Sequence, residues 1–200
     1  VTIVAGCGIH NDTCGNAEHD GVHTFYVGKN AKVRYIERHY ANGSGTGKKV
    51  FDPVTKIWLK ENSQFILEST QLGGVTYTDR KTYATVGKNA QLLVKEKILT
   101  DGEEKAITDF KVKLTGKNSR ADIVSRSVAK GKSLQQFKSD MIGKNECFGH
   151  VECDGIVLDG ARIISTPKID AVSPEASLVH EAAVGKIAGE QLLKLMSLGL

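Results

Sequence analysis

The sequence has no long apolar run, which excludes one class of protein at the outset. No apolar stretch approaches about 18 residues, the minimum for a membrane-spanning helix, so we expect no membrane-embedded segment. The first residues, VTIVAGCGIHN, have no initiating Met and no basic region ahead of an apolar stretch, so they are not typical of a secretory signal. We therefore expect the chain to begin inside a larger protein.

Cysteine is scarce, with four residues among 200. Without a secretory signal, this number fits a reducing compartment, and we predict a cytoplasmic protein whose cysteines are thiols or metal ligands. A GxxxxGK[ST] phosphate-binding loop is absent, so any ATP hydrolysis is expected from a partner. Helical periodicity is also missing before residue 170, which argues against a fold of alternating strands and helices.

Charge of one sign is not concentrated anywhere in the chain. The 27 Lys and Arg residues and the 23 Asp and Glu residues give a net charge of +4, and the two signs are interspersed. This pattern is typical of a solvated, lysine-bearing sheet face, so we predict no nucleic-acid partner. The 40% hydrophobic and 25% charged residues fit one ordinary globular domain with a real core.

A short marker recurs along the chain and determines the predicted architecture. Its copies are GKNA at 28–31, KENS at 60–63, GKNA at 87–90, GKNS at 116–119 and GKNE at 143–146. Their starts are 32, 27, 29 and 27 residues apart, and such a period is typical of a stacked solenoid. Apolar and polar residues alternate after the markers, as in a strand. Gly and Asn in the marker tolerate the positive φ that a turn requires.

We therefore predict an all-β fold in which residues 1–170 form a β-helix or a closely related β-solenoid. Each coil cannot bury its own apolar face, and stacking on the next coil buries it. An antiparallel β-sandwich is the alternative, because regularly spaced short strands fit both folds.

Residues 171–200 are predicted to add a last strand and a C-terminal helix to the same domain. Ser173-Pro174-Glu175 has the features of a helix start, with Ser as the N-cap and Pro at the first helical position. The stronger helix signal is GKIAGEQLLKLMSLG at 185–199, where Leu and Met residues recur on one face.

The residues with useful chemistry are concentrated near the end of the chain. If CFGHVEC is a strand, Cys147 and Cys153 share one of its faces, and His150 and Glu152 share the other. One straight strand therefore does not bring all four side chains to a single metal ion. A second segment is needed to complete a site.

The segment LVHEAA supplies the second half of this predicted site. We predict that Cys153 meets His180, Glu181 or both across neighbouring coils. A thiolate is the reactive form of cysteine, and a nearby imidazolium or other cation would lower its pKa. A carboxylate beside it would complete the coordination of a metal or move a proton. The alternative is that Cys153 is an ordinary buried core thiol.

The first loop of the chain carries a second candidate site. Cys7, Cys14, His19 and His23 are residue types that bind zinc, although the spacing from Cys7 to Cys14 is not that of a short zinc knuckle. The alternative is a loop whose Asn, Asp and Gly residues form turns and whose histidines pack locally.

The stretch FGHVECDGIVLDGARIISTPKI, followed by HEAAVGKIAGEQLLKLMSLGL, resembles the C-terminal core of the SufB/SufD scaffold proteins of the SUF iron–sulfur cluster assembly system. SRSVAKGKSLQQFKSDMIGKN and TDRKTYATVGKNAQLLVKEKILTDGEEKA are similar as well, so the resemblance covers most of the chain. It implies a right-handed parallel β-helix flanked by helical segments. It also implies a scaffold, not an enzyme, that accepts persulfide sulfur and builds a transient Fe–S cluster with iron. The implied partners are the ABC-type ATPase SufC and a sulfur-donor protein.

The resemblance also assigns roles to individual residues. Cys153, in Glu-Cys-Asp, matches the sulfur-accepting, cluster-building cysteine of the SufB branch. His180 and Glu181 match the His-Glu pair that this branch places at a subunit interface. The SufD branch usually lacks the combination, so we expect a SufB-like chain that forms a homodimer.

Three departures limit this transfer. Typical members are much longer, their N-terminal helical region and cysteine-rich N-terminal motif are absent here, and their helices that contact the ATPase follow the point where this sequence stops. We therefore expect either a short homologue or a fragment. Two other functions remain open: a cysteine–histidine hydrolase with Cys153 as nucleophile and His180 as base, and a structural zinc protein that uses the loop from Cys7 to His23.

Overall fold

The computed structural model describes residues 1–186 and Ser197. Residues 1–186 contain fifteen strands and no helix. In chain order the strands are β1 (Thr2–His10), β2 (Ala17–His19), β3 (Val22–Val27), β4 (Lys32–Asn42), β5 (Lys49–Phe51), β6 (Val54–Leu59), β7 (Gln64–Leu72), β8 (Tyr77–Val86), β9 (Gln91–Thr100), β10 (Lys105–Leu114), β11 (Ser119–Ala129), β12 (Leu134–Gly143), β13 (Cys147–Val157), β14 (Arg162–Ala171) and β15 (Ala176–Lys186). The described part of the chain includes no helix long and apolar enough to cross a membrane.

The strands form two sheets in which every pairing is parallel. One sheet has the order β1-β4-β7-β9-β11-β13-β15, and we call it the first sheet. The other has the order β14-β12-β10-β8-β5-β2, with β6 pairing both β3 and β8, and we call it the second sheet. The predicted parallel β-solenoid is therefore confirmed, and the alternative of an antiparallel sandwich is wrong. The marker recurs about once per coil. Each coil brings the chain back beside the equivalent strand of the previous coil, in the same direction.

Side chains alternate between the interior of the solenoid and solvent along each strand, as the sequence pattern predicts. In β9, Leu92 and Val94 are buried, while Lys95 and Lys97 are exposed. Buried apolar positions of successive coils stack into a main hydrophobic core that includes Phe65, and two smaller apolar clusters lie apart from it. Burial of this apolar surface is the main favourable contribution to the stability of the coils.

The recurring marker forms a ladder of asparagines at one corner of the solenoid. Asn30, Asn62, Asn89 and Asn118 have φ values of 62°, 57°, 53° and 57°. Each side-chain amide donates to the side-chain oxygen of the asparagine one coil earlier, at 3.1 Å for Asn62, 3.0 Å for Asn89 and 3.2 Å for Asn118. Asparagine tolerates this left-handed conformation better than most residues. The first four copies of the marker thus recur because each of these coils needs the same turn at the same place.

The chain after β14 departs from one expectation. The backbone N–H of Glu175 does donate to the Ser173 hydroxyl, at 3.3 Å, as a capping contact would. However, β15 follows this turn, so the prediction of a helix start at Ser173 is wrong. The alternating segment ASLVHEAA pairs in parallel with β13 instead, and a local capping contact is equally compatible with a turn. The predicted helix at 185–199 overlaps the end of β15, and its positions 187–196 and 198–199 lie outside the described residues.

Candidate functional site around Cys153

Strand β13 presents two chemically different faces. Cys147 and Cys153 point into the solenoid, where they are 6% and 1% exposed. His150 and Glu152 point outward, as strand alternation predicts. The thiols and the polar ligands of this strand are therefore separated by the sheet itself.

The pairing of β13 with β15 divides the predicted site. Cys153 pairs with Ala182, Val151 with His180, and Glu152 with Glu181. His180 therefore lies on the inner face with Cys153, while the Glu181 side chain lies on the outer face and is 66% exposed. The structure brings Cys153 and His180 to the same side of neighbouring coils, and it places Glu181 on the other side.

Cys153 lies in an environment that keeps its thiol protonated. Burial raises the pKa of the Cys153 thiol, and the carboxylates of Glu96 and Asp154 raise it further. The nearby Ser165 hydroxyl, from the facing sheet, opposes this rise in the pKa. We expected a nearby cation to lower this pKa, and the environment acts in the opposite direction. The thiol is therefore held in its protonated, less reactive form.

His180 is the basic group on the same inner face. Its Nε2 atom is buried and makes no hydrogen bond within the described chain. The two residues are diagonal neighbours on adjacent strands, a separation of about 8 Å between Cα atoms from strand spacing and rise. They therefore lie near each other without a direct hydrogen bond among the described contacts.

A line of polar side chains extends from Cys153 into the solenoid. Ser125 pairs with Cys153 on one side and with Glu96 on the other, so the three residues align across consecutive coils. The Ser125 hydroxyl donates to Glu96 Oε2 at 2.8 Å. Burial raises the pKa of Glu96, against the lowering effects of the Arg80 guanidinium and of hydrogen bonds from Ser125 and Thr108.

A buried cation lies between two carboxylates at the far end of this line. Arg80 is 2% exposed and donates through Nη2 to His39 Nδ1 at 2.6 Å. Its Nη1 atom lies 3.9 Å from a carboxylate oxygen of Glu37 and 3.9 Å from one of Glu96. Burial, together with the charge of Arg80, lowers the pKa of His39 to about 3, so this histidine is neutral at physiological pH.

Several polar atoms of this interior have unused hydrogen-bonding capacity. In the described part of the chain, Arg80 Nε, Glu96 Oε1, Ser69 Oγ and Gln71 Oε1 are buried without a hydrogen-bond partner. Buried polar groups are nearly always paired, so a group of unpaired ones is informative. The interior behind Cys153 therefore offers donors and acceptors to small polar species.

Sequence reasoning missed this buried cluster, although the sequence contains a signal for it. In RYIERHY, TDRKTY and VKEKIL, the residues Glu37, Arg80 and Glu96 occupy positions of the strand period that face the interior. Charged residues at such positions are rare unless they are paired. Assigning each strand residue to the inner or the outer face would have identified all three charged residues as buried.

The outer face of β13 carries a second polar group of residues. His150 Nδ1 lies 2.9 Å from Asp122 Oδ1, and its Nε2 lies 3.9 Å from Glu181 Oε2. Arg126 lies 3.2 Å from Glu152. The Asp122 carboxylate orients the His150 ring, so that its second nitrogen faces Glu181. A carboxylate and an imidazole oriented in this way are suitable ligands for ferrous iron.

The residues of the predicted zinc loop are distributed over three elements and a turn. Cys7 points inward on β1, and Cys14 is exposed in the turn that follows. The His19 ring packs edge-on against Phe51 at 5.5 Å, and His23 Nδ1 lies 3.2 Å from Glu37 Oε1. Among the described residues, no group of three or more His, Cys, Asp or Glu side chains is arranged to hold a metal ion. The zinc hypothesis stays a prediction that metal analysis can test.

Comparison with known proteins identifies relatives along the whole chain. A family model described as "SUF system FeS cluster assembly, SufBD core domain" matches residues 1–200. An iron-sulfur cluster assembly SufBD family protein of Archaeoglobus fulgidus is 33% identical over 202 residues, covering 100% of this chain and 53% of the relative. A Methanothermobacter thermautotrophicus protein of the same description is 34% identical over 207 residues, covering 99% of this chain and 48% of the relative. This chain thus spans about half the length of these curated relatives.

Proposed function

The chain belongs to the SufBD core family of the SUF system, which assembles iron–sulfur clusters, and from this premise we propose that it is the scaffold on which a nascent cluster forms. Cys153 accepts the sulfur in this proposal. Glu181 and His180 contribute to binding the nascent cluster. The Fe–S cluster is cargo that the chain holds transiently and passes on.

The position of Cys153 is the observation that carries this proposal. Its thiol lies inside the solenoid, next to the last coil, with His180 on the same inner face and the Ser125–Glu96 line behind it. A bound sulfur atom would be shielded from bulk water and from oxidants at this position. The unpaired donors and acceptors nearby would solvate a persulfide or sulfide.

The proposed sulfur transfer is an exchange at a sulfur–sulfur bond. Cys153 first loses its proton, for which the unpaired Nε2 of His180, on the same inner face, is the candidate base. The thiolate then attacks the outer sulfur of a persulfide on the donor protein. A bond forms between Cys153 Sγ and that sulfur, the S–S bond of the donor breaks, and the donor leaves as a thiolate. No net oxidation or reduction takes place.

Iron is proposed to enter from the outer face. Glu181 is exposed there, and His150 Nε2 is directed at it. Because Cys153 and Glu181 lie on opposite faces, a cluster bound by both requires β15 to separate from β13 or to twist. Among the described strands β15 pairs with β13 alone, so such a change would break that pairing and loosen the packing of β15 on the second sheet.

The remaining parts of the proposal concern the partners, the oligomeric state and the location of the chain. The chain would act with a SufC-type ATPase and a sulfur-donor protein, as a homodimer in the cytoplasm, and would not itself be an enzyme. A cysteine–histidine hydrolase is less well supported, because the family is one of iron–sulfur cluster assembly and no hydrogen bond joins Cys153 and His180 among the described residues.

Anaerobic reconstitution with iron and sulfide tests the proposal. The wild type should gain an iron–sulfur absorption band and bound iron, and Cys153→Ala should gain neither. Cys147→Ala is the matched control, because Cys147 is also a buried thiol on the inner face of β13. Normal cluster formation by Cys153→Ala would sink the assignment.

A further inference from the structure

An exposed group of aromatic side chains lies on the outer face of the second sheet, away from Cys153. Tyr26 on β3 is 76% exposed and stacks on Trp58 of β6, with ring centroids 4.8 Å apart and planes inclined by 15°. Tyr83 on β8 is 39% exposed. Tyr and Trp are enriched at the centres of protein–protein interfaces, where they supply large contact areas.

Two lysines accompany these rings without a compensating acid. Lys56 pairs in register with Tyr83, and Lys113 pairs with Thr85, the residue that pairs with Trp58. Within the described chain, no carboxylate lies within ion-pair distance of either lysine, whereas the neighbouring Lys111 is bound to Asp140 at 3.3 Å. We call Tyr26, Trp58, Tyr83, Lys56 and Lys113 the aromatic–lysine face.

The charges of this face indicate what it binds. Two free ammonium groups beside exposed rings complement carboxylates that are flanked by apolar side chains. A nucleic acid fits less well, because the Asp109 carboxylate lies on the same side of the sheet and repels phosphates. In addition, the stacking of Tyr26 on Trp58 occupies one ring face of each residue that a base would need.

We propose that the aromatic–lysine face is a docking surface for an acidic segment of a partner protein. The rings of Tyr26 and Trp58 receive its apolar side chains, and Lys56 and Lys113 bind its carboxylates. This surface is independent of the cysteine chemistry, and it gives the solenoid a protein-binding site on the sheet opposite the one that carries Cys153.

The chain contains its own reporter for this proposal, because Trp58 is its single tryptophan. The emission of Trp58 is followed while the full chain is titrated with a synthetic peptide of glutamate, leucine and serine. A second peptide replaces each glutamate by glutamine, and a third probe is oligothymidylate. The Glu peptide should change the emission saturably and should bind at least about tenfold more weakly at high salt, since screening weakens exposed charge pairs.

Charge reversal identifies the residues that bind. Lys56→Glu combined with Lys113→Glu should weaken binding of the Glu peptide by at least about tenfold. Lys95→Glu is the matched control, since this lysine is exposed on the first sheet, and it should leave binding unchanged. The proposal is overturned if the Glu peptide causes no change, if the glutamine peptide binds equally well, if oligothymidylate binds more tightly, or if the double reversal has no effect.

Discussion

Cys153 and Glu181 lie on opposite faces of one sheet, although their strands are direct neighbours. Cys153 pairs with Ala182, so the residue before it, Glu152, pairs with Glu181 on the outer side. The proposed sulfur acceptance at Cys153 and the proposed iron binding at Glu181 would therefore take place on opposite sides of the sheet. This separation makes the two steps distinguishable by mutation.

Glu181→Gln should leave sulfur loading at Cys153 intact and reduce the amount of bound iron. The substitution removes an exposed anionic ligand and does not alter the inner face. The mass of the Cys153 peptide after sulfur loading and the iron content after reconstitution measure the two steps separately. Glu175→Gln, at the exposed turn before β15, is the control and should change neither. Loss of sulfur loading in Glu181→Gln would contradict the separation of the steps.

Alkylation should distinguish Cys153 from Cys14. Burial raises the pKa of the Cys153 thiol, so its thiolate fraction at pH 7 is smaller than that of an ordinary cysteine. Cys14 is exposed. With iodoacetamide at pH 7, Cys14 should react first, and the rate at Cys153 should continue to rise above pH 9, as followed by peptide mass spectrometry. Faster labelling of Cys153 at pH 7 would show that its thiol is activated.

Glu96→Gln should change the pH dependence of stability. Because burial raises the pKa of Glu96 in the folded chain, the folded state holds this proton more tightly than the unfolded state does. Protonated Glu96 therefore contributes to the free energy of unfolding below the ordinary carboxyl pKa of 4.5. This contribution is lost as the pH rises through the pKa of Glu96 in the folded chain. Glutamine stays neutral and still accepts the hydrogen bond from Ser125. Urea unfolding between pH 4 and 8 should therefore show the variant gaining stability relative to wild type as the pH rises. A constant difference in the free energy of unfolding across this pH range would rule out the raised pKa of Glu96.

The asparagine ladder can be tested at one of its central positions. Asn89 has a φ of 53° and takes part in two amide hydrogen bonds along the ladder. Asn89→Ala should reduce the free energy of unfolding by about 1–3 kcal/mol, because alanine is strained in the left-handed region and the hydrogen bonds are lost. Asn89→Gly loses the same hydrogen bonds without the strain, so it should be the less destabilised variant in urea unfolding. Equal stability of wild type and Asn89→Ala would show that the asparagine ladder does not stabilise the fold at this position.

The sequence predicts the repeated features of this fold better than the single ones. Asn30, Asn62, Asn89 and Asn118 recur at the period of the coils, so the solenoid is predictable from their spacing. The prediction of a helix start at Ser173 is wrong, because a serine that caps a turn occurs before strands as well as before helices. Strand alternation correctly assigned Cys153 and Glu152 to opposite faces. The face of Glu181 relative to Cys153 was not predictable, since it depends on the register between β13 and β15, which the lengths of the intervening turns determine.

Cys153 is proposed to accept sulfur. Peptide mass spectrometry after incubation with a persulfide-loaded donor protein tests this proposal most directly. The account predicts that the peptide containing Cys153 gains the mass of one sulfur atom, that a reductant removes it, and that Cys147 in the same strand gains none. Sulfur on Cys147, Cys7 or Cys14 with none on Cys153 would contradict the account.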